Sequence, residues 1–82
     1  MHPVSKSTKK AYRWGNGGIG WPLVESKGLL VVEETLAPGC SEKYHYHNQV
    51  EQCFYMLTGR AVMQIANGQT VGLDAGMALH IP

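Results

Sequence analysis

Short runs of apolar and β-branched residues dominate this chain, and each run ends at a turn signal. The runs cover residues 29–36, 44–47, 51–58, 60–66, 69–73 and 77–81. Pro38-Gly39, Asn67-Gly68 and Ala75-Gly76 interrupt them, and Asn-Gly is the strongest short hairpin signal. No window of useful length has helical periodicity, and no longer period repeats. Short strands at this spacing predict an antiparallel all-β sandwich or barrel.

The first third of the chain differs from the rest. Residues 1–12 are polar and basic, which predicts a loose arm. Residues 13–22 are rich in glycine and formally satisfy G-x-G-x-x-G. A dinucleotide site needs a strand before that fingerprint and a helix after it, whereas here a polar arm precedes it and a proline follows almost at once. We therefore predict an arm with a glycine-rich loop over 1–28 and a barrel over 29–82.

The size of the chain limits its core. At 82 residues it is one small domain, and domains of this size often depend on a metal, disulfides or a partner subunit. Charged residues make up 16% of the chain, below the usual share of about a quarter. A surface given over to a partner subunit would explain the deficit, and so would a compact β fold alone. We expect a homodimer.

Charge and hydropathy exclude several classes of partner. The formal net charge is +1, so nothing indicates a nucleic-acid or membrane surface. No segment approaches the roughly 18 consecutive apolar residues of a membrane span, and residues 1–13 lack the apolar run of a signal peptide. Two cysteines do not indicate a disulfide-built scaffold. We expect a cytoplasmic protein that binds neither nucleic acid nor membrane.

Two histidines one residue apart stand in the run over 44–47. His45 and His47 point to the same face if this run is a strand, because side chains at i and i+2 share a face. Imidazole nitrogen is a common ligand of transition metals. The pair can therefore share one metal ion inside a barrel.

A polar pair opens the next run. Glu51 and Gln52 are adjacent, so in a regular strand they point to opposite faces, and Gln52 shares its face with Phe54 and Met56. Only one of the two can reach an ion held by the histidines, unless a β-bulge intervenes. A carboxylate is the more common ligand, whereas an amide oxygen leaves the site less negative. On parity alone both residues stay candidates.

Residues 39–59 resemble the first motif of the cupin superfamily. That motif is a glycine, five residues, His-x-His, three or four residues, a glutamate, six residues and a second glycine. Gly39, His45, His47 and Gly59 fit these positions. The resemblance implies the cupin-type double-stranded β-helix, a jelly-roll barrel with a metal inside.

The same resemblance favours one of Glu51 and Gln52 as the metal ligand. Counting back from Gly59 places Gln52 at the position of the usual glutamate, and some small bacterial cupins resemble this pattern with glutamine as a ligand. Glu51 lies within the allowed distance from His47 but is one residue out of register with Gly59. The resemblance thus implies His45, His47 and Gln52 as metal ligands, with Glu51 as the rival of Gln52.

The second cupin motif begins with a glycine, five residues and a proline, which residues 76–82 match. It should continue with a glycine and a third histidine ligand, and the sequence stops at Pro82. We expect these residues to be an incomplete single domain, as part of a longer protein or, less favoured, completed by another subunit. His80 is an alternative third imidazole, although the family pattern has no ligand there.

The implied cofactor is one divalent transition metal, namely iron, nickel, zinc, manganese or copper. Phe54, Met56 and Met63 would line a mostly apolar pocket for a small organic ligand. One hypothesis is a metalloenzyme of the dioxygenase, isomerase or lyase type that acts on a small oxygenated molecule. The other is a non-catalytic cupin module for ligand binding or dimerisation.

Overall fold

A computed structural model describes residues 1–39, 51–64 and 68–82 of the chain. The chain divides into two compact units, Met1–Lys43 and Tyr44–Pro82. The described residues form seven strands and a single short 3-10 helix, so the predicted all-β class is confirmed. The strands are β1 (Tyr12–Trp14), β2 (Gly18–Glu25), β3 (Leu30–Leu36), β4 (Gln52–Tyr55), β5 (Arg60–Gln64), β6 (Thr70–Asp74) and β7 (Ala78–Ile81).

The first unit contains an antiparallel sheet with the order β1-β2-β3. Tyr12 pairs with Gly20 and Trp14 with Gly18 between β1 and β2, and Trp21 pairs with Glu33 between β2 and β3. The register of β2 and β3 shifts after Pro22, as at a bulge. The 3-10 helix Lys6–Thr8 precedes this sheet in the arm.

The two glycines of β2 are covered by the aromatic rings of β1. A Cβ on Gly20 would lie 2.6 Å from Cζ of Tyr12, and a Cβ on Gly18 would overlap the Trp14 ring. Both glycines are buried. Each ring thus fills the space over the glycine with which its residue pairs, an arrangement that offsets the poor packing of glycine in a strand.

The second unit contains two antiparallel ladders, β4 with β7 and β5 with β6. The β5–β6 ladder confirms the hairpin predicted around residues 67–68, and Gly68 has a φ of +85°. After β6, Gly76 has a φ of +88°, and its N–H donates to the carbonyl of Met56 at 2.8 Å. Positive φ costs a glycine little, so these two positions suit tight turns. Across the described ranges the ladders do not close into a barrel.

Exposure alternates along the strands of the second unit. The half-buried positions of β4 are Gln52 and Phe54, and those of β7 are Leu79 and Ile81. In β6, Leu73 is 4% exposed, and it is the only buried apolar side chain among the described residues. This period of two is what a strand with one covered face requires.

Two sequence-based predictions for the fold need correction. The loop predicted over residues 13–22 is limited to residues 15–17, because Arg13 and Trp14 belong to β1 and the residues from Gly18 onward belong to β2. The G-x-G-x-x-G pattern therefore falls in an antiparallel hairpin, in which β2 stands where a dinucleotide fingerprint requires a helix. The strand predicted over 51–58 is shorter, since β4 ends at Tyr55. The predicted boundary between residues 28 and 29 stays a prediction, and β2 pairs with β3 across it.

Candidate metal site

Gln52 lies at the start of β4 on its half-buried face. It pairs with Ile81 of β7, and Phe54, two residues on, pairs with Leu79. These four positions share the less exposed side of the β4–β7 ladder. The Gln52 side chain forms no hydrogen bond with any other described residue. Its amide is not a buried atom without a partner, so it remains accessible and can offer its oxygen to a ligand.

Glu51 lies on the other side of the ladder. Its Oε1 lies 2.5 Å from Nε2 of His80, and both side chains are exposed, at 74% and 57% respectively. His80 pairs directly with Cys53, so Glu51 reaches it diagonally across the two strands. The pair thus occupies the face opposite to Gln52. His80, considered as a third imidazole, is here bonded to the rival ligand and not to the side that carries Gln52.

The sequence contains a signal for the Glu51–His80 pair. Glu51, which directly precedes β4, has the same parity as Cys53, and His80 stands between two half-buried positions on β7. An antiparallel pairing of the two runs therefore predicts His80 on the exposed side beside Glu51. The alternation of residues predicts which face of a strand each side chain occupies, but it does not predict which strands pair. The contact between Glu51 and His80 therefore requires knowledge of the β4–β7 pairing.

His45 and His47 lie outside the described residues. Among residues 1–39, 51–64 and 68–82 no three histidine, cysteine, aspartate or glutamate side chains are grouped as a metal site would need. Of the predicted ligands, the structure therefore places Gln52 and Glu51 only, and it places them on opposite faces.

The chemistry of the donor set nevertheless fits a metal ion. Gln52 offers a neutral carbonyl oxygen from a half-buried position, and two imidazoles would supply neutral nitrogens. Oxygen and imidazole donors suit first-row divalent metals. On the same side of the chain segment, Phe54 and Met56 are half-buried and apolar. A ligand oxygen at Gln52 would thus be bordered by side chains that keep water away.

The fold and the donor residues together define an antiparallel β protein with one polar group on an apolar strand face. The family model for the cupin domain matches residues 32–82, more than half of the chain. The chain therefore belongs to the cupin superfamily, as the first motif predicts. Searches among curated proteins and among solved structures find no match to this chain.

The family match begins inside β3 and covers every strand of the second unit. It thus includes the whole first motif and residues 76–82 of the second. In the described ranges no helix has the length and apolarity that a membrane crossing needs.

Proposed function

We propose that this chain is a metal-binding cupin in which His45, His47 and Gln52 hold one divalent transition metal. The support comes from two directions. The family match covers the His-x-His segment and Gln52. The alternation of exposure puts Gln52 on the half-buried face of β4.

The observation that carries the choice of ligand is the position of Glu51. Its carboxylate faces outward and bonds to His80, whereas the amide of Gln52 faces the covered side. A metal site in a cupin-like barrel lies inside, so its ligand must come from the covered face. Glu51 could replace Gln52 only if β4 slipped by one residue, and the β4–β7 register opposes that slip.

A neutral ligand set has a chemical consequence. An ion bound by two imidazoles and an amide keeps its full positive charge and supplies Lewis acidity toward a carbonyl, carboxylate or enediol oxygen. Gln52 would supply one ligand oxygen, and the half-buried Phe54 and Met56 would border the site with apolar surface. We propose a small oxygenated organic molecule as the substrate, in a reaction of the dioxygenase, isomerase or lyase type.

The metal content of purified variants tests this proposal. We expect His47→Ala and Gln52→Ala to lose most of the metal found by elemental analysis in the wild-type protein. Gln52→Glu is expected to keep it, because a carboxylate is an equally good oxygen ligand. Gln64→Ala is the matched control, since Gln64 is an exposed glutamine on β5.

Glu51→Ala provides the decisive comparison. It should keep its metal, because its partner is His80. Metal lost from Glu51→Ala and retained in Gln52→Ala would reverse the ligand assignment. Equal metal content in wild type and His47→Ala would remove the metal site from the proposal altogether. Circular dichroism of each variant separates loss of the ligand from loss of the fold.

A second candidate function is a non-catalytic module for dimerisation. Large apolar side chains are exposed in the second unit, at Tyr55, Leu57 and Val62, and exposed apolar side chains are one feature of subunit interfaces. A homodimer is compatible with both functions. Light scattering tests it: a monomer at all concentrations would exclude this role, and a metal-free dimer would favour it over the metalloenzyme.

A further inference from the structure

The N-terminal arm contacts the three-stranded sheet through one side chain. Nζ of Lys6 lies 3.5 Å from Oε2 of Glu33, and it lies 5.3 Å from the ring centroid of Trp21. Trp21 and Glu33 are directly paired between β2 and β3. A single ammonium group thus meets an aromatic face and a carboxylate at the same place.

This combination is the chemistry that recognises an ammonium ion. The negative face of an aromatic ring attracts a cation within about 6 Å of its centroid, and tryptophan is the strongest of the aromatic side chains. The carboxylate of Glu33 adds a full negative charge from the neighbouring strand. Its side chain is only 26% exposed, while that of Lys6 is 52% exposed. The sheet therefore supplies the less exposed side of this contact, and the arm supplies the more exposed side.

The 3-10 helix presents Lys6 to this receptor. Ser5 and Thr8 close the turn: the N–H of Ser5 donates to Oγ1 of Thr8 at 3.2 Å, and the N–H of Thr8 donates to the carbonyl of Ser5 at 2.9 Å. This reciprocal capping fixes the backbone on both sides of Lys6. The lysine is thereby held beside the sheet and not left on a free coil.

We infer that Trp21 and Glu33 form a binding site for a primary alkylammonium group, and that Lys6 is its intramolecular occupant. The arm is then a strap that leaves the sheet when the Lys6 charge is neutralised or when another alkylammonium takes its place. Exposed ion pairs and exposed cation–π contacts are each weak, so such a strap opens readily. The inference concerns the first unit and does not depend on the proposed metal site.

Limited trypsin digestion tests the strap. Lys10 follows the 3-10 helix in an exposed segment outside the strands, and we expect trypsin to cleave after it faster when the arm is released from the sheet. We expect Lys6→Gln to speed this cleavage about three- to tenfold, in proportion to the weak contacts that are lost. Lys6→Arg retains a cation and should keep the wild-type rate. Lys27→Gln is the matched control, because it removes the same charge from the turn between β2 and β3.

Glu33→Gln should give part of the effect of Lys6→Gln, because the contact of Lys6 with the Trp21 ring remains. The double variant should match Lys6→Gln, because the Lys6–Glu33 contact can be lost only once. A wild-type rate in both single variants would overturn the strap. So would additive effects in the double variant, which would show that the two residues act separately.

The ammonium site itself is tested by nuclear magnetic resonance of the Trp21 indole N–H. We titrate wild type and Lys6→Gln with n-butylammonium chloride, and with potassium chloride at equal ionic strength. We expect butylammonium to shift the signal at about three- to tenfold lower concentration in Lys6→Gln, because no internal lysine competes. Equal responses to both salts, or equal midpoints in both proteins, would overturn the assignment.

Discussion

The indole ring of Trp14 occupies the space above Gly18, its pairing partner across the first hairpin. Tyr12 stands in the same relation to Gly20, with its ring 2.6 Å from where a Cβ would be. The packing of the hairpin therefore requires both the Trp14 and Tyr12 rings and the lack of side chains at Gly18 and Gly20.

Substitution of either glycine by alanine should destabilise the protein. We expect Gly18→Ala and Gly20→Ala to lower the free energy of unfolding by about 1–3 kcal/mol, because the added methyl group overpacks a site already filled by a ring. Urea denaturation measures the change. Gly28→Ala is the control, since a Cβ there meets nothing within 4 Å; it should be neutral or stabilise by up to about 1 kcal/mol. Equal stability of all three variants would contradict the steric explanation.

Gly76 is required because of its backbone conformation and not because of steric overlap, and a second substitution can distinguish the two causes. A Cβ at Gly76 has open space, but its φ is +88°. We expect Gly76→Ala to cost about 1–2 kcal/mol in unfolding free energy through backbone strain alone. Asparagine tolerates positive φ better, so Gly76→Asn should recover part of that loss. Gly18→Asn should be worse than Gly18→Ala. If Gly76→Asn were less stable than Gly76→Ala, backbone strain would not explain the requirement at Gly76. If Gly18→Asn were more stable than Gly18→Ala, steric overlap would not explain the requirement at Gly18.

Leu73 should contribute more to stability than any other described side chain of its unit. Leu73→Ala removes three carbon atoms from the most buried apolar position and should lower the free energy of unfolding by about 2–5 kcal/mol. The control is Val62→Ala on the paired strand, where the side chain is 67% exposed; a change within about 0.5 kcal/mol is expected there. Comparable losses in the two variants would show that Val62 is covered in solution, as a subunit interface would require.

The Glu51–His80 pair should contribute little to stability despite its short distance. Both side chains are largely exposed, and exposed ion pairs typically contribute about 0.2–1 kcal/mol. A double-mutant cycle with Glu51→Ala and His80→Ala measures their coupling in urea denaturation. A coupling well above 1 kcal/mol would mean that the pair is desolvated by a part of the protein or a partner that covers this face.

Much of the second unit was predictable because its strands follow a simple alternation. The separation of Gln52 and Phe54 from Glu51 and Tyr55 follows from period two alone, and the structure confirms it. The positions of β5, β6 and β7 agree with their turn signals to within a residue or two. Local patterns suffice here because each strand is short and has one covered face.

The first unit was harder to predict because tertiary contacts override local preference. Glycine and proline disfavour strands, yet Gly18, Gly20 and Pro22 all lie in β2. The two glycines are compensated by the rings of Tyr12 and Trp14, and the proline falls beside a register shift. The sequence signal for this hairpin is that Tyr12 and Trp14 have the same spacing as Gly18 and Gly20 on the other side of a turn. Single-residue strand propensities do not include such a pairing.

Because Glu51 and Gln52 are adjacent, a shift of the strand by one residue would change the charge of the ligand at the proposed metal site. The carboxylate of Glu51 directly precedes β4 and the amide of Gln52 begins it, and the alternation of side chains along the strand decides which of them faces inward. Deletion or insertion of a single residue just before Tyr55 would exchange them, turning a neutral donor into an anionic one without any change of amino-acid type. In the proposed site, a shift of one residue would therefore replace a neutral ligand by an anionic one and lower the electrophilicity of the bound metal.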